Sequence, residues 1–326
     1  MKHPAILILS AALATLARPA AGAEPLQLGA SGTLTVQAVE SGRLPSRGYA
    51  SADLSLVWPQ AQGQWVLYLE AASSVRPPAA AAVLPELNAD AGSAVDADGG
   101  GRAQLSELYY QSHRGGWTLG LLDASARLDT SRLANDENLQ FLAAPLVNNP
   151  TIAFPDYSPG AAWRGRLSDG LHLRALLLAA DGLADTPGRS YSELLDLDAP
   201  GRGVFTAVAL AHARPAGRIE IGSWLRSVRQ PQLDASGPER MPWGLYMVAE
   251  RTAPAGGCGT RLGLGSPAVS RAAYFGSLYC QRRHRSLTAG LGGRAPGSRH
   301  RTASPMPATP RSWKPIWIGS SARGST

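Results

Sequence analysis

The chain has 326 residues, enough for one large domain or two ordinary ones. Its formal charge is +7, yet all 24 acidic residues lie at or before Glu250, where residues 24–250 hold 17 Arg against them. The body is therefore not basic, and a nucleic-acid partner is excluded on charge. The two cysteines, Cys258 and Cys280, fit no metal-binding spacing. No nucleophile elbow, His-Glu metal pattern or phosphate loop occurs, so neither an enzyme nor a cofactor is expected.

Met1-Lys2-His3 is a basic start, Ala5–Ala17 a short apolar run, and Ala21-Gly22-Ala23 a small-x-small cleavage site. This pattern reads as a secretory signal peptide over residues 1–23, with Glu24 opening the mature chain. No later stretch approaches the roughly 18–20 consecutive apolar residues of a membrane helix. An exported chain of this kind is soluble, or it crosses a membrane as a β-barrel.

From Glu24 to Glu250 short segments alternate with period two, the signal of strands with two different faces. Leu34 and Val36 alternate with Thr35 and Gln37; Trp65, Leu67 and Leu69 with Val66, Tyr68 and Glu70. Leu171, Leu173, Ala175 and Leu177 alternate with His172, Arg174 and Leu176; Ile219, Ile221, Ser223 and Leu225 with Glu220, Gly222, Trp224 and Arg226. About ten such segments precede Arg251, each near the 9–11 residues of a tilted transmembrane strand. His113–Gly116, Leu167–Gly170 and Arg214–Gly217 read as tight turns, whereas Arg76–Gly101 is a long acidic connection. Long loops at one end and short turns at the other suit an outer-membrane barrel. Alternation alone also fits a soluble sandwich. Trp58, Trp65, Tyr109, Tyr110, Trp117, Trp163, Trp224, Trp243 and Tyr246 lie near segment ends, as interfacial girdles require, although Trp and Tyr are also ordinary strand residues.

One stretch breaks the pattern. After Trp117–Asp123, a strand with glycine, the chain runs irregularly through Asn135-Asp136-Glu137, Gln140-Phe141-Leu142, Asn148-Asn149-Pro150 and Phe154-Pro155, before the hairpin Gly160–Gly182. In this ordered set the chain resembles the carbohydrate-selective porin family of Gram-negative outer membranes, over about residues 30–250. The resemblance implies an all-β fold: an antiparallel transmembrane β-barrel of about sixteen strands with a long segment folded inward as a constriction. It implies passive diffusion of monosaccharides or other small sugars, with sugar and outer-membrane lipid as partners and a homo-oligomer as an option. Leu139, Phe141, Leu142, Leu146 and Phe154 would anchor the segment. Arg127, Arg132, Asn135, Asp136, Glu137, Asn148 and Asn149 become the pore-constriction candidates. Glu70, Glu107, His172, Arg174, Glu220 and Arg226 become the lumen-facing ones. Paired acids and bases suit neutral polyhydroxylated solutes. The competing reading makes the Asn and Asp residues turn caps alone.

After Glu250 the acids stop and the alternation fades. Residues 251–326 read as an aberrant basic tail, expected to be translated out of frame. A shift of two nucleotides turns the codons of Trp313-Lys314 into one for Glu, and those of Trp317-Ile318 into one for Asp. The alternative is a genuine disordered tail that binds anionic surfaces. On this reading residues 24–250 are an incomplete barrel of about ten strands, too few for a sugar-wide lumen. The expected function is sugar diffusion across the outer membrane. The alternatives are an exported carbohydrate-binding β-sandwich and a non-functional truncated porin that conducts nothing.

Overall fold

A computed structural model describes residues 8–13, 25–37, 47–73, 89, 100–141, 143–183, 190–196, 202–235, 237–284, 287–297 and 316–321. Fifteen strands form one sheet: β1 (Ile8–Leu13), β2 (Gln27–Gln37), β3 (Arg47–Gln60), β4 (Gly63–Ala72), β5 (Ala103–Ser112), β6 (Trp117–Leu122), β7 (Ser158–Ser168), β8 (Leu171–Ala179), β9 (Val204–Arg214), β10 (Gly217–Arg226), β11 (Trp243–Ala253), β12 (Gly256–Gly265), β13 (Tyr274–His284), β14 (Leu287–Gly297) and β15 (Ile316–Ser321). Each strand pairs antiparallel with its neighbours in chain order, so the sheet is a meander. Its two edges, β1 and β15, share no hydrogen-bonded register, and the sheet is not closed. The short helices α1 (Ala144–Val147) and α2 (Tyr191–Leu195) are the only α-helical runs among these elements.

The period-two pattern becomes two faces. Along β9, Phe205, Ala207, Ala209 and Ala211 are buried on the inside, while Val208 and Leu210 are 50% and 44% exposed on the outside. Along β10, Glu220, Trp224 and Arg226 point in, and Ile219, Ile221 and Leu225 point out and are exposed. The outer surface of the sheet is thus apolar and the inner one carries the charge, the reverse of a soluble protein. A sandwich would need a second sheet to cover one face; among the described residues every named strand belongs to one sheet.

The connections sort by length. Two-residue turns at 61–62, 169–170, 215–216 and 254–255 and a four-residue turn at 113–116 share one end, while the long connections share the other. Gly116 sits at φ +71 with any Cβ only 1.9 Å from the Arg164 carbonyl oxygen, so that turn needs glycine. Trp58, Trp65, Tyr110, Trp117 and Trp163 lie toward the turn end and make neighbouring pairs: Trp65 packs edge-on to Tyr110, and Trp117 lies beside Trp163. Trp243 and Tyr274 are exposed at the loop end. Three expected girdle residues face inward instead. Trp224 and Tyr246 are buried, and Tyr109 lies under the Arg127 guanidinium. Strand parity, not nearness to a segment end, decides the face of an aromatic residue.

Beyond the first pairing, ten strands (β2–β11) begin before Arg251, as expected, but the sheet continues past Glu250. In β13, Phe275, Ser277, Tyr279 and Gln281 are buried on the inner face, and Tyr274 and Leu278 are exposed outside. Cys258 and Cys280 are register partners on β12 and β13 and form a disulfide. The loss of acids at Glu250 therefore marks no end of regular structure, and the sheet exceeds the ten strands that the alternation suggested. Residues 298–315 and 322–326, in the remainder of the expected tail, lie outside the described residues.

Candidate functional site: the inward segment and its wall

β6 is only six residues long. At Asp123 the chain leaves the sheet, and it rejoins at Ser158 as the first residue of β7. Between them the segment folds against the inner wall. Apolar side chains dock it in two places. Leu128 and Ile152 join Leu122, Phe205, Trp224, Tyr246 and Val248 in one buried cluster, with Phe154 packed on its edge. Leu133, Phe141, Leu146 and Val147 join Tyr279 of β13 in a second. Of the expected anchors, Phe141, Leu146 and Phe154 are in place. Leu139 is 48% exposed and belongs to neither cluster, and Leu142 lies outside the described residues.

Polar straps from four wall strands complete the docking. Glu220 on β10, fully buried, accepts the Asp129 N–H at 2.9 Å and the Tyr246 hydroxyl at 2.9 Å. It also pairs with Arg174 of β8 at 3.1 Å and with Arg218. Arg218 donates to the Thr130 carbonyl at 2.6 Å, and Arg174 to the Arg127 carbonyl and the Thr130 hydroxyl, both at 3.1 Å. Glu250 on β11 accepts the Arg132 N–H and the Ser131 hydroxyl. Arg261 on β12, fully buried, meets the Asp129 carboxylate at 3.0 Å. It donates to the carbonyls of Asp129 at 3.0 Å and Leu146 at 2.5 Å, and stacks over Tyr279. Burial pushes the Asp129 carboxyl up to about 7, against the opposing pull of Arg261 and of the Asn149 N–H that it accepts. Asp129 itself has φ +53, a left-handed turn position that Asp tolerates better than most residues.

The sequence-derived candidates divide accordingly. Asn149 is buried and structural: its side-chain amide donates to the Leu262 carbonyl at 3.0 Å, while its side-chain oxygen accepts from Thr151. Asn148 caps α1 through its backbone N–H. Asn135 accepts from Ser131 N–H and from Arg261. Asp136 caps a turn by accepting the N–H groups of Asn138 and Leu139 at 2.9 and 2.6 Å. Arg127 pairs with Glu107 at 3.5 Å over the Tyr109 ring, and Arg132 is exposed. Among the lumen-facing candidates, Glu70, Glu107, Arg174, Glu220 and Arg226 all lie on the inner face. Glu70 is held by Gln104 and Ser106, and Arg226 by Asp181 at 2.7 Å. His172 shares that face and lies across from Ala211 in register. Sequence reasoning missed Asp129, Ser131, Arg218, Glu250, Arg261 and Tyr279. Alternation within each strand is the signal that finds Glu250 and Arg261: Glu250 is in step with Tyr246 and Val248 on β11, and Arg261 with Gly259 on β12.

Two cavities flank the segment. One, of about 420 Å³, lies between its tip and β2–β4 and is lined by Asp53, Tyr68, Asn135, Asp136 and Glu137. The other, of about 290 Å³, lies between its start and β5–β8 and is lined by Gln111, Thr118, Thr130, Arg127, Arg164 and Arg174. One side is acidic and the other basic.

The high-pH structure of OprB from Pseudomonas putida matches 82% of this chain and 74% of its own length, with a TM-score of 0.59 at 8% identity. The fold is that of a porin. A second solved structure, described under asymmetric conductivity of engineered proteins, matches 84% of this chain and 85% of its own with a TM-score of 0.50 at 12% identity. A mutant of the Rhodopseudomonas blastica porin matches the same shares at 13% identity and a TM-score of 0.49. No protein-family model matches the chain. An uncharacterised protein of Aquifex aeolicus (strain VF5) is 41% identical over 76 residues, and the match spans 23% of this chain and a quarter of that relative. At these identities the likeness is one of fold alone.

Proposed function

We propose that this chain is an outer-membrane porin of a Gram-negative bacterium, through which small sugars pass by passive diffusion. The observation that carries the reading is the inverted sheet. Its outside is apolar and exposed, ringed by Trp and Tyr, and its inside is charged and crossed by a strapped segment. Apolar area costs about 25 cal/mol per Å² in water, so such a surface calls for an apolar solvent. Only helices and closed barrels satisfy every peptide group in one. The acidic and basic cavities beside the segment offer acceptors and donors together, which suits the hydroxyl-rich surface of a sugar. The porin fold favours a channel over an enzyme. Export by cleavage before Glu24 would remove β1 and leave β2 as the first strand. The short turns would then face the periplasm.

Reconstitution of the full exported chain in planar bilayers tests the proposal. Discrete conductance steps, together with swelling of protein-loaded liposomes in glucose or other small sugars, are the expected result. Absence of steps would favour the truncated, non-functional reading, whose premise of ten strands the longer sheet weakens. A second expected result concerns the segment. Replacing Arg127, Arg132, Asp136 and Glu137 with Ala should change conductance or ion selectivity while the barrel still assembles, because none of the four supplies a wall strand. Unchanged single-channel records from all four variants would leave the segment a purely structural role.

A further inference from the structure

The basic cavity contains an arrangement that neutral sugars do not require. Arg164 on β7 and Arg174 on β8 are directly opposite each other in register and share the inner face. Like charges opposite one another across a strand pair are destabilising. Arg127 comes down from the inward segment into the same 290 Å³ cavity, so three guanidinium groups converge there. The acids nearby are already engaged: Glu107 with Arg127, and Glu220 with both Arg174 and Arg218. Arg164 has no acidic partner among the described residues. The Nε groups of Arg127 and Arg174 are buried without an acceptor. Buried donors of this kind are costly unless an acceptor arrives. Thr118, Thr130 and Gln111 add neutral hydrogen-bonding groups around the cationic ones.

We infer that this cavity, on the turn side of the inward segment, is a binding station for the anionic group of a small polyhydroxylated acid, so that the pore passes sugar carboxylates in preference to neutral sugars. The inference rests on the porin reading and refines its substrate class. Two or three guanidinium forks match the paired oxygens of a carboxylate, and phosphate shares that chemistry. The Thr and Gln groups meet the hydroxyls of the same solute. The excess of cationic groups over free acids also raises the local concentration of anions.

The test uses the full chain in planar bilayers bathed in potassium chloride, with glucose, gluconate or glucose 6-phosphate added to one side. The expected result is chloride-over-potassium selectivity, with gluconate blocking current at a concentration at least about tenfold lower than glucose, the effect of one charge-assisted hydrogen bond. Block by glucose 6-phosphate that is stronger than block by gluconate would assign the station to phosphate and keep the site. Arg164→Gln should erase the difference between gluconate and glucose and move the reversal potential toward potassium, with channels still opening. Arg229→Gln, in the connection between β10 and β11 at the opposite end from the cavity, should change neither. Equal block by glucose and gluconate, or an Arg164→Gln variant with unchanged selectivity, would overturn the inference while leaving the pore intact. If no channel opens in potassium chloride alone, the porin reading fails. Calorimetric titration of gluconate into the detergent-solubilised protein and its Arg164→Gln variant then decides the site: binding lost in the variant supports it, and no binding to either protein overturns it.

Discussion

Arginine at Ile221 should block assembly of the barrel, and arginine at His172 should not. Ile221 lies mid-strand on β10, between Leu210 of β9 and Met247 of β11, and its side chain is 56% exposed on the outer face. In a bilayer that position is near the midplane, where an arginine costs about 2–4 kcal/mol. That loss is a large share of the 5–15 kcal/mol or so that holds a typical domain folded. Leu173→Arg on β8 should behave like Ile221→Arg, since Leu173 pairs with Leu210 in register and shares the outer face. His172 is one residue away and points inward, where water and counterions meet the charge. The measurement is heat-modifiable mobility of the outer-membrane fraction on gels, which separates folded barrels from unfolded chains. Equal assembly of all three variants would mean that the outer face does not touch lipid, and the porin assignment would fall with it.

The contrast between neighbouring residues also shows what was legible in the sequence. A strand's period of two is local information, so the two faces of β4, β8 and β10 are read directly: alternation puts Glu70, Arg174, Glu220 and Arg226 on the polar faces, and the porin resemblance turns those faces inward. The inward segment stood out because its Asn, Asp and Pro cannot continue a ladder. What could not be read was its docking. Arg261 reaches Asp129 across 132 residues of sequence, and Glu250 reaches Arg132 across 118. No local pattern encodes such a contact. Leu139 was misplaced for a related reason: within an irregular segment no period says which apolar residue faces the wall. The break that charge and fading alternation suggest at Glu250 does not coincide with the end of the sheet. β12 and β13 keep their alternation after the acids end, with Arg261, Ser277 and Gln281 as inner residues. Charge composition and strand periodicity are independent signals, and only the second specifies a sheet.

Arg261→Met should release the inward segment from the wall, and the loss should grow with pH above about 7. Removing one partner of a buried ion pair typically costs about 3–5 kcal/mol, because the other charge is left uncompensated. Here the abandoned group is Asp129, whose carboxyl has an escape in protonation. Its folded value of about 7 lies above the roughly 3.9 of an unfolded Asp. The wild-type contribution from this group is therefore greatest below about pH 4 and is lost as pH rises toward 7. At pH 5 both proteins carry the proton, and the substitution removes the hydrogen bonds to the Leu146 and Asp129 carbonyls and to Asn135, together with the stacking on Tyr279. Above pH 7 the wild-type carboxylate ionises beside Arg261. In the variant it must keep its proton or bury a bare charge, at about 1.4 kcal/mol per further pH unit. Asp129→Asn on the variant background abolishes titration at this position and should flatten the dependence. Urea titration of the detergent-solubilised protein at pH 5, 7 and 9, followed by tryptophan fluorescence, measures all three proteins. Bilayer recordings should show a noisier or wider pore in Arg261→Met as the segment swings away from β12. A cost that is the same at pH 5 and pH 9 would mean that the Asp129 charge takes no part in holding the segment, and that the carbonyl contacts of Arg261 do so alone.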